Sequence, residues 1–466
     1  MRNAHFRMSR RLALQSVGLA VGTHLLAACT ASTPATMSAP TPPPKPTTAP
    51  AAAPTAGAPA AAATTAPPQV AKGSGTVTMM VQAGAPQTTA LNGTVAEFQK
   101  TSKVQMKLVE VPTGDMYQKF LVDTAGGGSS YDLVTLDSIG VVGAGQYLED
   151  LEALGLMTPD LKTDFAPASV KDGQDVNGVI RGIPDFVTVV GLYYRTDLYA
   201  AKGLKPPTTW DEYVDAAQKL TDQANGIWGT AIQGSTKTAG GGVKLLDWMY
   251  QAGGGMADAN NKPTINTPEN AAALQFLSDL VNKYHAAAPD APAMTHVEIH
   301  NLFLQGRAAM VDNWQYQVSL NRDAKQSKVV DKFGVAPLPM GKRSGVVLGN
   351  WFFCVPKGSK NKDGAIEFAQ YALTPPEQIR MTANEGVPAR LSVMDTSKYP
   401  QIKDANPFLD PFRKMISEAG FAQPKWVKLN DAYLSTTTAL QKVILGQATP
   451  EQALADSQKE IEALVV

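Results

Sequence analysis

Three short apolar runs, residues 76–81, 104–111 and 131–136, alternate with segments whose apolar residues fall at helical spacing, such as Leu91, Val95 and Phe98. Strand, helix, strand, helix, strand in that order predicts an α/β fold built on a parallel sheet. Ligands of such sheets gather beyond the carboxyl ends of the strands. That rule nominates residues 82–84, residues 113–115 and Asp137.

What precedes this alternation is of a different kind. The apolar run 12–28 is interrupted by Gln15, Ser16, Thr23 and His24 and preceded by Arg2, Arg7, Arg10 and Arg11, so it reads as an export signal, residues 1–28, and not as a membrane span. Leu26, Ala27, Ala28 and Cys29 resemble the lipobox of bacterial lipoproteins, in which the cysteine thiol takes a diacylglyceryl group and the new amino terminus is acylated. More than one acyl chain makes a stable anchor. Ser9, Arg10, Arg11 and Leu14 resemble a twin-arginine signal, but Ala13 and Gln15 depart from it, which leaves the choice between the two export routes open. Residues 29–73 are mostly Ala, Pro, Thr and Ser, with almost nothing large enough to bury, and are expected to form an extended, disordered tether. The expected location is extracytoplasmic, on the outer face of the cell membrane.

Residues 74–466 remain, more than one hydrophobic core usually serves, so two lobes are expected. With Cys29 lipidated, Cys354 stands alone, and in "NWFFCVPKG" it reads as a small buried apolar residue. Forty-one basic residues balance 41 acidic ones, and the body carries no basic cluster, which excludes electrostatic nucleic-acid binding. Helix starts are marked at 209–212, 374–377 and 449–452, each a Thr with an acid or amide three residues on. "TAGGGVK" and "QAGGG" lack the order of a phosphate-binding loop and are expected to be flexible loops around Trp248. His296 and His300 in "THVEIHNLF" share a helix face, but their spacing is not the HExxH of metalloproteases; no metal and no cofactor are expected.

The stretches "GIPDFVTVVGLYYRTDLYAAKGLKPPTTWDEYVDAAQKLT", "LFLQGRAAMVDNW", "FGVAPLPMG" and "LGNWFFCVPKGSKNKDGAIEFAQYALTPPEQ", in that order, resemble the extracellular solute-binding proteins that serve sugar ABC importers. The resemblance covers nearly all of the body. It implies a two-lobed periplasmic-binding-protein-like fold, each lobe α/β, with a hinge and three interlobe crossings, here near 186–190, 334–339 and 373–377. Lobe 1 would then hold residues 74–186 and 337–373, and lobe 2 residues 187–336 and 374–466. It also implies a monomer that carries a carbohydrate, a di- or oligosaccharide, to the permease subunits of an ABC importer without making or breaking a bond.

A sugar offers apolar C–H faces and a rim of hydroxyls, so its receptor needs flat aromatic platforms with carboxylates, amides and guanidinium groups beside them. Trp314 and Trp351 fall where relatives place pocket aromatics; Trp248 and Trp426 are further candidates, and any of the four could instead be a core residue. Trp210 and Trp228 read as structural. Asn350 stands where the family has a second glycine, and its amide either contacts the ligand or narrows the pocket. Gln82 and Asp137 end first-lobe strands, and Asp185 sits at the first crossing. These three are expected hydroxyl partners, against the alternative of turn or cap side chains. Asn313 and Arg390 complete the set, Arg390 with the alternative of a surface charge. The main rival function is a glycan-active enzyme, which would need two carboxylates about 5 to 9 Å apart across the sugar. A non-transporting sensor or adhesin would share the fold and differ in its partner.

Overall fold

The computed structural model describes residues 73–382 and 386–465; the predicted signal, Cys29 and the tether through residue 72 lie outside them. β1 (Gly75–Gln82), α1 (Pro86–Phe98), β2 (Val104–Val111), α2 (Thr113–Thr124) and β3 (Leu133–Asp137) follow one another as the hydrophobic periodicity predicts. β1 pairs in parallel with β2 on one side and β3 on the other. Its alternate residues Val77, Met79 and Val81 are buried in the central core, while Met80 faces a second cluster with Phe120 and Leu136.

The remaining strands are β4 (Ile183–Arg195), β5 (Met310–Trp314), β6 (Phe333–Ala336), β7 (Val346–Cys354), β8 (Val387–Pro388) and β9 (Gly420–Phe421). They extend the sheet in the order β2-β1-β3-β7-β4-β5. β4 is the long apolar run "IPDFVTVVGLYYR", buried along nearly its whole length. Its first half pairs with β7, the last partners being Val189 and Leu348, and its second half with β5, starting from Val190 and Trp314. One strand thus serves two lobes, and the central core cluster runs through it without a break, from Val77 to Val311.

Two expected crossings move. Residues 337–345, expected in lobe 1, are held by lobe 2: Met340 N–H donates to Thr208 O (2.9 Å), Trp210 N–H to Met340 O (3.1 Å) and Arg343 Nε to Tyr250 O (2.7 Å). The chain changes lobes within β7 instead. Residues 374–392, expected in lobe 2, stay with lobe 1, because the helix Pro375–Thr382 packs on α1 and Leu391 N–H donates to Asp164 O (2.8 Å). Which groove receives an amphipathic segment is a property of its partners, and periodicity alone does not report it.

The second lobe is a helical layer of Trp210–Leu220, Gly240–Gln251, Pro268–Asn282, Leu429–Ile444 and Pro450–Val465 against β5 and β6. The glycine run "AGGG", expected as a flexible loop, opens the helix Gly240–Gln251. A Cβ on Gly241 would lie 2.8 Å from Thr437 Cγ2, and one on Gly242 would lie 2.6 Å from Tyr433 Cα. The glycines are there so that two helix backbones can touch. The predicted cap at Thr449 forms in both directions with Gln452, whereas the Thr374 hydroxyl turns back to Tyr371 O (2.7 Å). Cys354 is a fully buried β7 residue, and among the described residues no helix is long and apolar enough to cross a membrane.

Candidate functional site

β1 and β3 run parallel, so their carboxyl ends, Gln82 and Asp137, emerge at the same edge of the sheet. The antiparallel strand β7 sets Trp351 opposite Asp137, and on its other side opposite Phe186 of β4. From the second lobe, Trp314, Gln315 and Tyr316 follow the end of β5 and face the same space. Together these segments enclose a cavity of about 460 Å³, to which Gln87, Ser138, Thr188, Gly349, Asn350 and Gln423 also contribute. That volume lies in the range of small-molecule sites.

The aromatic walls are held by their neighbours. Phe186 and Trp351 lie with ring centroids 6.0 Å apart and planes 10° apart. Gly349 leaves room for Trp314: a Cβ at that position would lie 3.1 Å from Trp314 Cζ3 and collide with Thr188 Oγ1. Thr188 Oγ1 in turn donates to Gly349 O (2.6 Å), and Val189 N–H donates to Gln315 Oε1 (3.0 Å), which braces β4 at the point where it changes partners.

The polar rim is unevenly charged. Among the described lining residues Asp137 alone carries a formal charge. Its Oδ1 accepts from Gly140 N–H (2.7 Å), and burial pushes its carboxyl above the ordinary range while that N–H opposes the shift. A single carboxylate does not make the pair that glycoside hydrolysis requires. Gln82 Nε2 donates to Thr113 Oγ1 at the cavity's edge. Gln87 Oε1 and Ser138 Oγ are buried without a hydrogen-bond partner among the described residues. Tyr316 O–H lies 3.1 Å from His300 Nδ1, and burial pushes that imidazole down to about 4, which keeps it neutral and able to accept. Glu298, between the two histidines, closes a capping box on Thr295 N–H (2.8 Å), and among the described residues no cluster of metal-ligating side chains forms.

Of the residues nominated from sequence, Gln82, Asp137, Trp314, Asn350 and Trp351 meet at this cavity. Five do not. Asp185 is the extra residue of a β-bulge between Pro184 and Phe186, wholly buried, its Oδ1 accepting from Phe186 N–H (2.8 Å). Trp248 is packed among Trp210, Tyr213 and Phe276, with centroids 5.4 to 5.6 Å away, and belongs to the second-lobe core. Asn313 precedes Trp314 on a strand, so alternation turns it to the opposite face, where its Nδ2 donates to His296 O (3.3 Å). Arg390 is paired with Asp164 (2.7 Å) and donates to Leu373 O. Trp426 is buried at a separate groove, its Nε1 donating to Asn261 O (2.8 Å).

Asn350 is at the cavity floor, but its amide is engaged below it. Oδ1 accepts from Ser169 Oγ (2.6 Å), and Nδ2 donates to Asp172 Oδ2 (3.0 Å). Asp172, fully buried, also accepts Gln423 N–H at Oδ1 (2.9 Å), and Lys425 Nζ donates to its main-chain oxygen (2.9 Å). Burial pushes the Asp172 carboxyl up to about 6 and the Lys425 ammonium down to about 8. Gln423 reaches the floor from a loop ahead of the last two helices, its side chain fixed by Tyr433 O–H (2.8 Å). Sequence reasoning missed Phe186, Gln315, Tyr316 and Gln423. Tyr316 and Gln315 were within reach of it, as immediate neighbours of Trp314; nothing in the sequence marks Gln423.

The family described as bacterial extracellular solute-binding protein matches residues 84–379. The "Probable ABC transporter-binding protein" of Deinococcus radiodurans is 29% identical over 366 residues, covering 75% of this chain and 84% of that protein. A mannitol-binding protein of Pseudomonas aeruginosa is 28% identical over 345 residues, 71% of this chain and 76% of the relative. Among solved structures, maltose-bound MalE3 of T. maritima shares the fold with a TM-score of 0.72 and 27% identity, covering 84% of this chain and 100% of that one.

Proposed function

Because the chain belongs to the bacterial extracellular solute-binding proteins, which are binding proteins and not enzymes, we propose that it captures a carbohydrate, a di- or oligosaccharide, between its lobes and delivers it unchanged to the permease of an ABC importer. The observation that carries this reading is the cavity where β4 and β7 join the lobes, with Trp351 on the first-lobe side, Trp314 on the second, and amides and a carboxylate around them. Indole faces take the C–H faces of a sugar ring, and the rim takes its hydroxyls. Contacts from both lobes exist only when the lobes meet, so ligand favours the closed form, which is what a permease would distinguish.

The same proposal includes the amino-terminal segment: Cys29 carries the lipid, and the Ala/Pro/Thr-rich tether sets the binding unit away from the outer face of the membrane. The deciding experiment is a thermal-shift screen of carbohydrates and polyols on the soluble unit, followed by small-angle scattering with the best hit. A saccharide that raises Tm and compacts the protein supports the reading. A hit that is hydrolysed on incubation, or stabilisation by amino acids or peptides alone, ends it. Metabolic fatty-acid labelling that is unchanged in Cys29→Ser would remove the anchor.

A further inference from the structure

The charge of the cavity deepens the reading just proposed, on which this inference rests. Twenty described residues line it, and none is Lys or Arg. The segment between Met381 and Gly386, both lining residues, reads Ala383, Asn384, Glu385 and brings no cation in sequence. The cations on the surrounding elements are already engaged. Lys244, one residue after the lining Val243, is buried against Asp312 (3.1 Å). Arg380, next to Met381, is paired with Glu377 (2.8 Å). Lys425, two residues after Gln423, is tied to Asp172 O (2.9 Å).

On the first-lobe wall the polar atoms are acceptors. Asp137 is fixed by Gly140 N–H, and Gln87 Oε1 is buried beside it without a donor. A sugar hydroxyl satisfies such atoms, because it donates. A carboxylate or phosphate does not: it has no proton to give and would meet an uncompensated like charge in a site shielded from water.

The geometry points to an uncharged saccharide or polyol as the ligand class, with Asp137 as the residue that turns away acidic sugars, sugar phosphates and free amino acids. The aromatic pair sets how the ring lies; the carboxylate sets what charge it carries. The selectivity is a difference of two affinities, built by a repulsive element as well as an attractive one.

The test pairs each neutral compound with its anionic counterpart: maltose with maltobionate, mannitol with mannitol 1-phosphate, and neutral oligosaccharides with their uronic-acid forms. Affinities are measured by calorimetry at pH 7.5 on the wild type, Asp137→Asn and Gln87→Lys. The expected result is that the neutral member of the best-binding pair exceeds its anionic partner by ~100-fold or more, the scale of one unscreened like charge at close range. Asp137→Asn keeps an acceptor for Gly140 N–H and should narrow that gap at least tenfold, and Gln87→Lys, which adds a cation to the wall, should narrow it independently. An anionic member that binds the wild type as well as its neutral partner overturns the inference and leaves the carbohydrate reading standing. So does a gap unchanged in both variants. Binding of amino acids with no response to any saccharide or polyol overturns both.

Discussion

Asp137 and Trp351 are register partners across the antiparallel pair β3 and β7. Directly opposed residues share a face of the sheet, so the one charged lining side chain described and one aromatic wall are placed side by side by backbone pairing. Trp351→Ala is expected to weaken the best saccharide hit by ~30-fold or more, the behaviour of a central aromatic contact. Trp314→Ala should do the same from the other lobe. Calorimetry checks both, and wild-type affinity in either variant removes that indole from the site.

Gly349 governs where Trp314 can lie. Gly349→Ala puts a methyl onto Thr188 Oγ1 and against the indole, so it should cost about 1–3 kcal/mol of stability by overpacking. Ligand affinity should fall with it, because the indole must move. Urea unfolding and ligand titration are the two measurements; unchanged affinity would mean the ring tolerates the displacement.

Asn350 joins Ser169 and Asp172 of lobe 1 to the floor of the cavity. Asn350→Gly restores the residue type expected of the family but leaves a buried carboxylate oxygen and a hydroxyl without that partner. The expected loss is about 2–4 kcal/mol. The Asp172 carboxyl should titrate higher still, since the amide N–H no longer stabilises its charge. A variant as stable as wild type would show that the network contributes nothing net.

Asp185 makes stability depend on pH with a definite sign. Its buried carboxyl titrates at about 8 in the folded chain against 3.8 for the free group, so between those values the folded state holds a proton that the unfolded state has lost. The stabilisation is complete below pH 4 and disappears as pH rises through 8. Asp185→Asn keeps the oxygen that accepts Phe186 N–H and cannot ionise. Its stability relative to wild type should therefore rise steadily from pH 5 to pH 9. A difference independent of pH would contradict the buried, protonated assignment.

Trp248 separates a core indole from a ligand-facing one. Enclosed by Trp210, Tyr213 and Phe276, it should cost about 3–5 kcal/mol when truncated to Ala, while affinity of the protein that remains folded is unchanged. A selective loss of ligand with normal unfolding would return it to the site.

The sequence by itself determined the parallel β1, β2, β3 arrangement, the strand ends that carry Gln82 and Asp137, and the family, because hydrophobic periodicity and ordered motifs are local and survive in one dimension. It also contained, unused, the rule that separates Asn313 from Trp314: neighbours on a strand point to opposite faces. What only the tertiary structure decided was the company each side chain keeps. Trp248 and Trp314 are both indoles near glycines, yet one faces other rings and the other faces a cavity. Arg390 found Asp164, 226 residues away, and Gln423 came to the floor from a loop without a signature. Burial and pairing depend on contacts between distant segments, and those exist only once the chain has folded.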